Sequence, residues 1–272
     1  MMAGEHGRVL GLTWSERWTK YGLAALLGPT IVLLLVPSLV VIPLSLSNNP
    51  ALSWPPQGFT LQWYHQLFGS AAWLASLRHS IEVALTATIL CLLLGVPAGL
   101  AFGSRNWRGR RLSLAFVVLP LVIPNVVLAI GMYEVYARLG LADLWGLAAS
   151  HFVIGVPFVV ITTMSAAKRI NPVFLLAARS LGARPALVFW HVTLPLISLG
   201  VLSGAMFAFV TSWDEVVIAN FLTSPTYRTV PVEMWSQLTE GVDPTVAAMA
   251  ATLFAVTTSL MLALLFLRGR RE

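Results

Sequence analysis

Charge is what this sequence has least of. Asp, Glu, Lys and Arg make up 10% of its 272 residues, against about 25% in soluble domains. Only two residues are Lys, Lys20 and Lys168, and neither stands in a Gly-rich run before Ser or Thr. No phosphate-cradling loop for ATP can therefore be drawn. The single cysteine, Cys91, excludes an internal disulfide framework. The five histidines, His6, His65, His79, His151 and His191, are scattered, with no His-Glu-x-x-His pattern. No catalytic, metal or cofactor site is expected from them. These scarcities also exclude disorder, a nucleic-acid tail and an ordinary cytosolic domain.

What remains is apolar. Hydrophobic residues make up 57% of the chain, ten residues are Trp, and mean hydropathy is +0.81. Six runs are long enough to cross a hydrocarbon core as helices of about 20 residues. They are Tyr21–Leu44, Ser80–Phe102, Leu112–Tyr136, Ala148–Ala167, Val192–Leu222 and Val246–Leu267. Backbone groups in lipid must bond internally, so the expected fold is an all-α, polytopic bundle of six transmembrane helices. The first run is too long for a signal-peptide core and is read as an uncleaved span. The fifth is too long for one straight span and must tilt or project into water.

Basic residues set the orientation. Fourteen of 17 fall before the first span, between spans two and three, between four and five, or after the sixth. Only Arg78, Arg138 and Arg228 fall on the other side. The positive-inside rule then places residues 1–20, the tail 268–272 and both termini in the cytoplasm. The pI of about 10.1 is thus topological and implies no nucleic-acid partner. Residues 45–77, with Pro50, Pro55, Pro56, Trp54, Trp63 and Trp73, form an outer loop of turns and interfacial aromatics.

Small residues repeat at four-residue spacing in two places, Gly95, Gly99, Gly103 and Gly200, Gly204, Ala208. Such stripes let helix backbones approach closely, either as static packing or as moving interfaces. Pro97, Pro120, Pro124 and Pro157 are expected to kink the spans that hold them.

The stretch from Lys168 to Leu196 differs from an ordinary polar loop. Asn171-Pro172 opens a short helix, with Asn as N-cap and Pro at the first position. Gly182 suits its stop, and Pro185 starts a second short helix through Trp190. Apolar helices at 172–190, outside the membrane, call for a cover: a protein groove or the lipid interface.

The run AARSLGARPALVFWHVTLPL (177–196) resembles the EAA-type loop of binding-protein-dependent ABC importer permeases with type I architecture. Ala177, Ala178, Gly182, Leu194 and Pro195 match that pattern, while Leu176 stands at its usual glutamate. The resemblance implies that this loop is a coupling helix docking in a cleft of an ATPase subunit. Phe174 and Leu175 would supply apolar docking contacts. QWYHQLF (62–68), SLRHSIEVALTAT (76–88), VVLPLVIPNVVLAIGM (117–132), TSWDEVVIANFLT (211–223) and TYRTVPVEMWS (226–236) are similar to the second permease of spermidine/putrescine-type importers. The transmembrane domain so implied covers 76–267.

Four carboxylates fall within spans, where a central charge costs about 2.5–3.5 kcal/mol and seeks water or a partner. Glu82 follows Arg78 by four residues and suits a local ion pair. Glu134, between Tyr133 and Tyr136, either reaches the interface or joins a path. Asp214 and Glu215 lie about 12 Å inside the end of the fifth run at helical rise. They either line a wet path or bond across a subunit interface. Trp213, Phe207 and Phe209 nearby offer faces to a cation. In polyamine-type permeases, Ser followed by two acidic residues is associated with substrate passage, which makes Ser212, Trp213, Asp214 and Glu215 candidates. Trp63 and Asn125 complete the set. Those permeases carry Asp after the Pro of the matching turn, whereas Asn125 follows Pro124 here. The missing anion favours a monocation, zwitterion or aminophosphonate over a polycation.

The expected function is an inner-membrane importer permease that performs no chemistry. It would move a polyamine or another small amine delivered by a periplasmic binding protein. An aminophosphonate, opine or iron importer of the same layout is the alternative. The implied partners are a second permease, a cytoplasmic ATPase dimer and the surrounding bilayer. A passive channel or scaffold would not need the apolar helix pair. An intramembrane protease would need a base nearer Ser203 than His191.

Overall fold

The computed structural model describes residues 14–104, 106–141, 143–241 and 243–269. The outermost parts of both expected cytoplasmic ends, and Arg105, lie outside these. The elements in chain order are α1 (Trp14–Ser45), α2 (Gln62–Gly69), α3 (Ala71–Ser104), α4 (Arg110–Val118), α5 (Asn125–Leu139) and α6 (Asp143–Ala167). They continue with α7 (Pro172–Ser180), α8 (Pro185–Val188), α9 (Leu194–Trp213), α10 (Val217–Leu222), α11 (Val230–Glu240) and α12 (Thr245–Gly269). No strand occurs among the described residues.

Four helical stretches are long and apolar enough to cross a membrane: Tyr21–Ser45, Ala71–Gly103, Asp143–Ala167 and Pro185–Trp213. A fifth is a bent pair. The run expected as the third span is α4 with a 3-10 turn at Leu119–Leu121, then α5, meeting at 100°. Pro120 and Pro124 bound this bend, because neither can donate the amide a continuous helix needs. Pro97 and Pro157 lie inside helices that continue past them. α12 carries an apolar stretch at Thr245–Ser259.

The chain forms two compact units. In the first, residues up to 67 and from 242, α1 packs against α12. The segment after α1 turns back on itself. Ser45 Oγ and Tyr64 Oη lie 2.7 Å apart, and the Trp63 indole donates to the Ser47 carbonyl at 2.7 Å.

The second unit, residues 68–241, is built on α3, α6 and α9. Both small-residue stripes press on α6. A β-carbon added at Gly99 of α3 would lie 2.7 Å from Thr163 Cβ and 2.9 Å from the Val160 carbonyl oxygen. One added at Gly204 of α9 would lie 2.5 Å from Thr162 Oγ1 and 2.8 Å from Val159 Cα. Only glycine allows backbones this close. Cys91, Val96, Val159, Ile197 and Ala208 fill the space between the three helices. Two smaller clusters dock the short elements. Val83, Leu147, Ala219 and Val232 join α3, α6, α10 and α11. Ala129, Ile154 and Ile218 join α5, α6 and α10.

Candidate functional site: a buried polar node and an exposed apolar helix pair

The fifth apolar run does not continue as one helix. It begins in a π-helical turn, Phe189–Thr193, runs through α9 and stops at Trp213, before α10 starts at Val217. No Pro or Gly marks this break, so the sequence alone does not reveal it. Side-chain chemistry holds it. Glu215, 5% exposed, accepts the Val217 amide on Oε1 at 3.1 Å and the Ala219 amide on Oε2 at 2.9 Å. A carboxylate on the free amides of a helix start is stabilised by hydrogen bonds and by the dipole. Asn125 Nδ2, from the start of α5, lies 3.4 Å from the same carboxylate.

His151 of α6 completes the node. Its Nδ1 is 2.7 Å from Ser212 Oγ, and its Nε2 is 3.9 Å from Glu215 Oε2. It is fully buried, and Nε2 has no hydrogen-bond partner among the described residues. Nothing in its spacing points to Ser212, which stands 61 residues later. A histidine in an apolar run flanked by Ser150 is the only available signal.

The two adjacent carboxylates therefore point different ways. Glu215 is buried; Asp214, at the end of α9, is exposed. Asn125 and Phe207 are also exposed, Trp213 is half-buried and stacked on Phe209 with centroids 5.8 Å apart, and Ser212 is buried. The structure thus brings Asn125, Ser212 and Glu215 together, with Asp214 and Trp213 at the rim. Glu134 is elsewhere on α5, exposed and paired with Arg138 one turn later, Nε to Oε1 2.8 Å. Trp63 belongs to the first unit, its indole committed to Ser47. Glu82 pairs with Arg78 at 2.9 Å, and the Tyr227 hydroxyl lies 3.4 Å from it.

The second feature is α7 and α8. Asn171 caps α7 by accepting the Val173 amide at 3.0 Å. Gly182, at φ +79°, ends it in the left-handed region. The Gly182 amide donates to the Arg179 carbonyl and the Ala183 amide to that of Ala178. Val173, Phe174, Leu176, Ala177 and Leu187 are exposed, and Leu181 is 88% exposed. Leu175 and Ala178 are half-buried. Leu175 lines a cleft of its own chain, about 550 Å³, with Lys168, Arg179 and Val188. Leu194 and Pro195 open α9.

The described site thus pairs a broken span with an uncovered helix pair. Residues 95–271 match the family described as binding-protein-dependent transport system inner membrane component, and the chain belongs to it. It is 29% identical over 232 residues to the spermidine/putrescine transport system permease protein PotC of Escherichia coli K12, covering 85% of this chain and 87% of that one. It is 33% identical over 199 residues to the molybdenum transport system permease protein ModB of Mycobacterium tuberculosis, covering 67% and 74%. Its fold is that of a bacterial ABC transporter for import of the acidic polysaccharide alginate, with a TM-score of 0.69 over 95% of this chain and 98% of that one, at 17% identity. The chain is therefore a multi-pass bacterial inner-membrane permease of type I ABC importer fold. It carries small solutes, and ATP hydrolysis resides on a separate subunit. Its family implies an ATPase and a substrate-binding protein as partners.

Proposed function

We propose that the solute is a polyamine or another small amine and that Asp214 lies on its path. The observation that carries this reading is the exposed carboxylate of Asp214 at the break after α9, next in the chain to Glu215, which Asn125 contacts. An anion within an apolar span is costly against lipid and is relieved by water, a partner subunit or a passing cation. Trp213, the preceding residue, stacked on Phe209, offers an aromatic face that suits a cation. Similarity to a spermidine/putrescine permease supports the amine class, while similarity to a molybdenum permease supports only the permease role.

The rest of the proposed arrangement follows from charge and exposure. Six spans place both termini in the cytoplasm, and a second permease subunit covers the exposed face of α9. The exposed side of α7, with Phe174 and Ala177, docks on the ATPase dimer, and Gly182 fixes the turn that presents it. Closure of the ATPase would then bias the spans between inward and outward arrangements.

Uptake of labelled putrescine by the complete importer, with spermidine, molybdate and an aminophosphonate as competitors, tests the substrate. Competition by molybdate or the aminophosphonate, but not spermidine, would overturn the amine reading. Thiol labelling in whole cells tests the orientation. Cysteines at Asn48 and Gly241 should react with an impermeant reagent, and one at Arg108 should not.

A further inference from the structure

We propose that His151 is a positioning residue for solute passage: it links the last turn of α9 to the break before α10 and keeps Glu215 turned inward. Only one of two neighbouring carboxylates, Asp214, then faces outward. The inference rests on the reading of Asp214 as a path residue, but its test is independent of the solute.

The geometry comes first. One imidazole reaches both the last turn of α9, with Ser212 at 2.7 Å, and the break itself, with Glu215 at 3.9 Å. The proton positions follow from charge. A nitrogen lone pair aimed at a buried carboxylate would repel it, so Nε2 carries the hydrogen and Nδ1 accepts from the Ser212 hydroxyl. The N–H edge of His151 then faces Glu215 Oε2. It adds to the two amides of α10 and to Asn125, which hold the same carboxylate. A buried carboxylate is costly unless its oxygens are hydrogen-bonded, so each of these contacts counts.

Without His151, Glu215 loses the polar wall behind it and is held only by the α10 amides and Asn125. The carboxylate sits at a helix break one residue from an exposed position, so a local rotation can exchange those contacts for water. The outward face would then present two negative charges instead of one. His151 thus sets the charge that an entering solute meets, without touching the solute.

The test reads local charge directly. In the assembled importer carrying Asp214→Cys, the rates of reaction with a trimethylammonium-bearing and a sulfonate-bearing methanethiosulfonate are compared. Adding His151→Leu should raise the cationic-to-anionic rate ratio about fivefold, as a new anion beside the thiol requires. Further addition of Glu215→Gln should return the ratio to its starting value. His151→Asn keeps a polar atom toward Ser212 and loses the one toward Glu215, so it should raise the ratio too. That variant carries the test if the Leu variant fails to assemble. An unchanged ratio in both His151 variants would overturn the proposal, as would a rise that persists with Glu215→Gln. Failure of the thiol at position 214 to react at all would overturn it too. A normal putrescine uptake rate in Asp214→Asn would instead overturn the path reading while leaving the charge measurement intact.

Discussion

The break between α9 and α10 and the α7–α8 pair are both short interruptions of helix, yet they are built in opposite ways. The first is closed on itself. Ser212, His151 and Glu215 form one buried chain of polar contacts, met at its edge by exposed Asn125, and Ile218 and Ala219 dock α10 on its neighbours. The second has caps at its ends and apolar side chains in the open: Val173, Phe174, Leu176, Leu181 and Leu187. The buried node finds its contacts within the chain, whereas an exposed apolar face is covered only by a partner. Substitutions in the first should therefore act on the permease itself, and those in the second on its assembly with the ATPase.

The largest effect should come from Gly182→Val. A β-branched residue at φ +79° costs about 1–2 kcal/mol and displaces the turn that presents α7. Transport should be abolished while the permease remains in the membrane, measured as uptake against membrane-inserted protein. Normal uptake would remove α7 from the coupling role. Glu215→Ala comes next. It strips two amides and leaves His151 facing a void, at about 3 kcal/mol for charge-assisted bonds in a buried site. Thermal unfolding of the purified complex should show this loss, whereas Phe174→Ala should leave unfolding unchanged and reduce co-purification of the ATPase. If the two substitutions behave alike, the contrast between a closed and an open region is wrong.

Asp214→Asn keeps shape and removes the outward charge. Uptake of a cationic solute per assembled complex should fall at least tenfold, about 1.4 kcal/mol in barrier, with assembly and basal ATP hydrolysis retained. Glu134→Gln should have the smallest effect. Its partner Arg138 is one turn away on an exposed face, where such pairs contribute about 0.3–0.5 kcal/mol. Uptake in this variant should match the unsubstituted importer, and a tenfold loss would return Glu134 to the path.

The sequence made the second feature far more legible than the first. Caps and stops are local: Asn171 before Pro172, and Gly182 ten residues later, mark α7 in the chain itself, and each stands in the structure where its chemistry suits. The apolar lengths likewise announced the long helices. The polar node was not local. His151 and Ser212 meet only because Gly204 and Ala208 bring α9 onto α6 near Gly155. The inward turn of Glu215 depends on amides that become free only once α9 stops. Composition could rate two adjacent carboxylates as costly, but not say which would be satisfied from within. Leu175 shows the same limit on a smaller scale, since a nine-residue helix has too little periodicity to reveal which side its own chain covers.

The glycine contacts on α6 have a mechanical consequence. Gripped at backbone distance by α3 and α9, α6 has no side-chain layer that can shear at Gly99 or Gly204. Sliding would drive Val160 and Thr162 into neighbouring main chain. The three helices therefore behave as one stiff beam. A torque applied where Gly103 meets Ala167, a few residues before the start of α7, is carried along α6 to His151 with little loss to bending. Compliance is left to the interruption after Trp213, at the end of the beam, and to the bend at Pro120–Pro124, outside it.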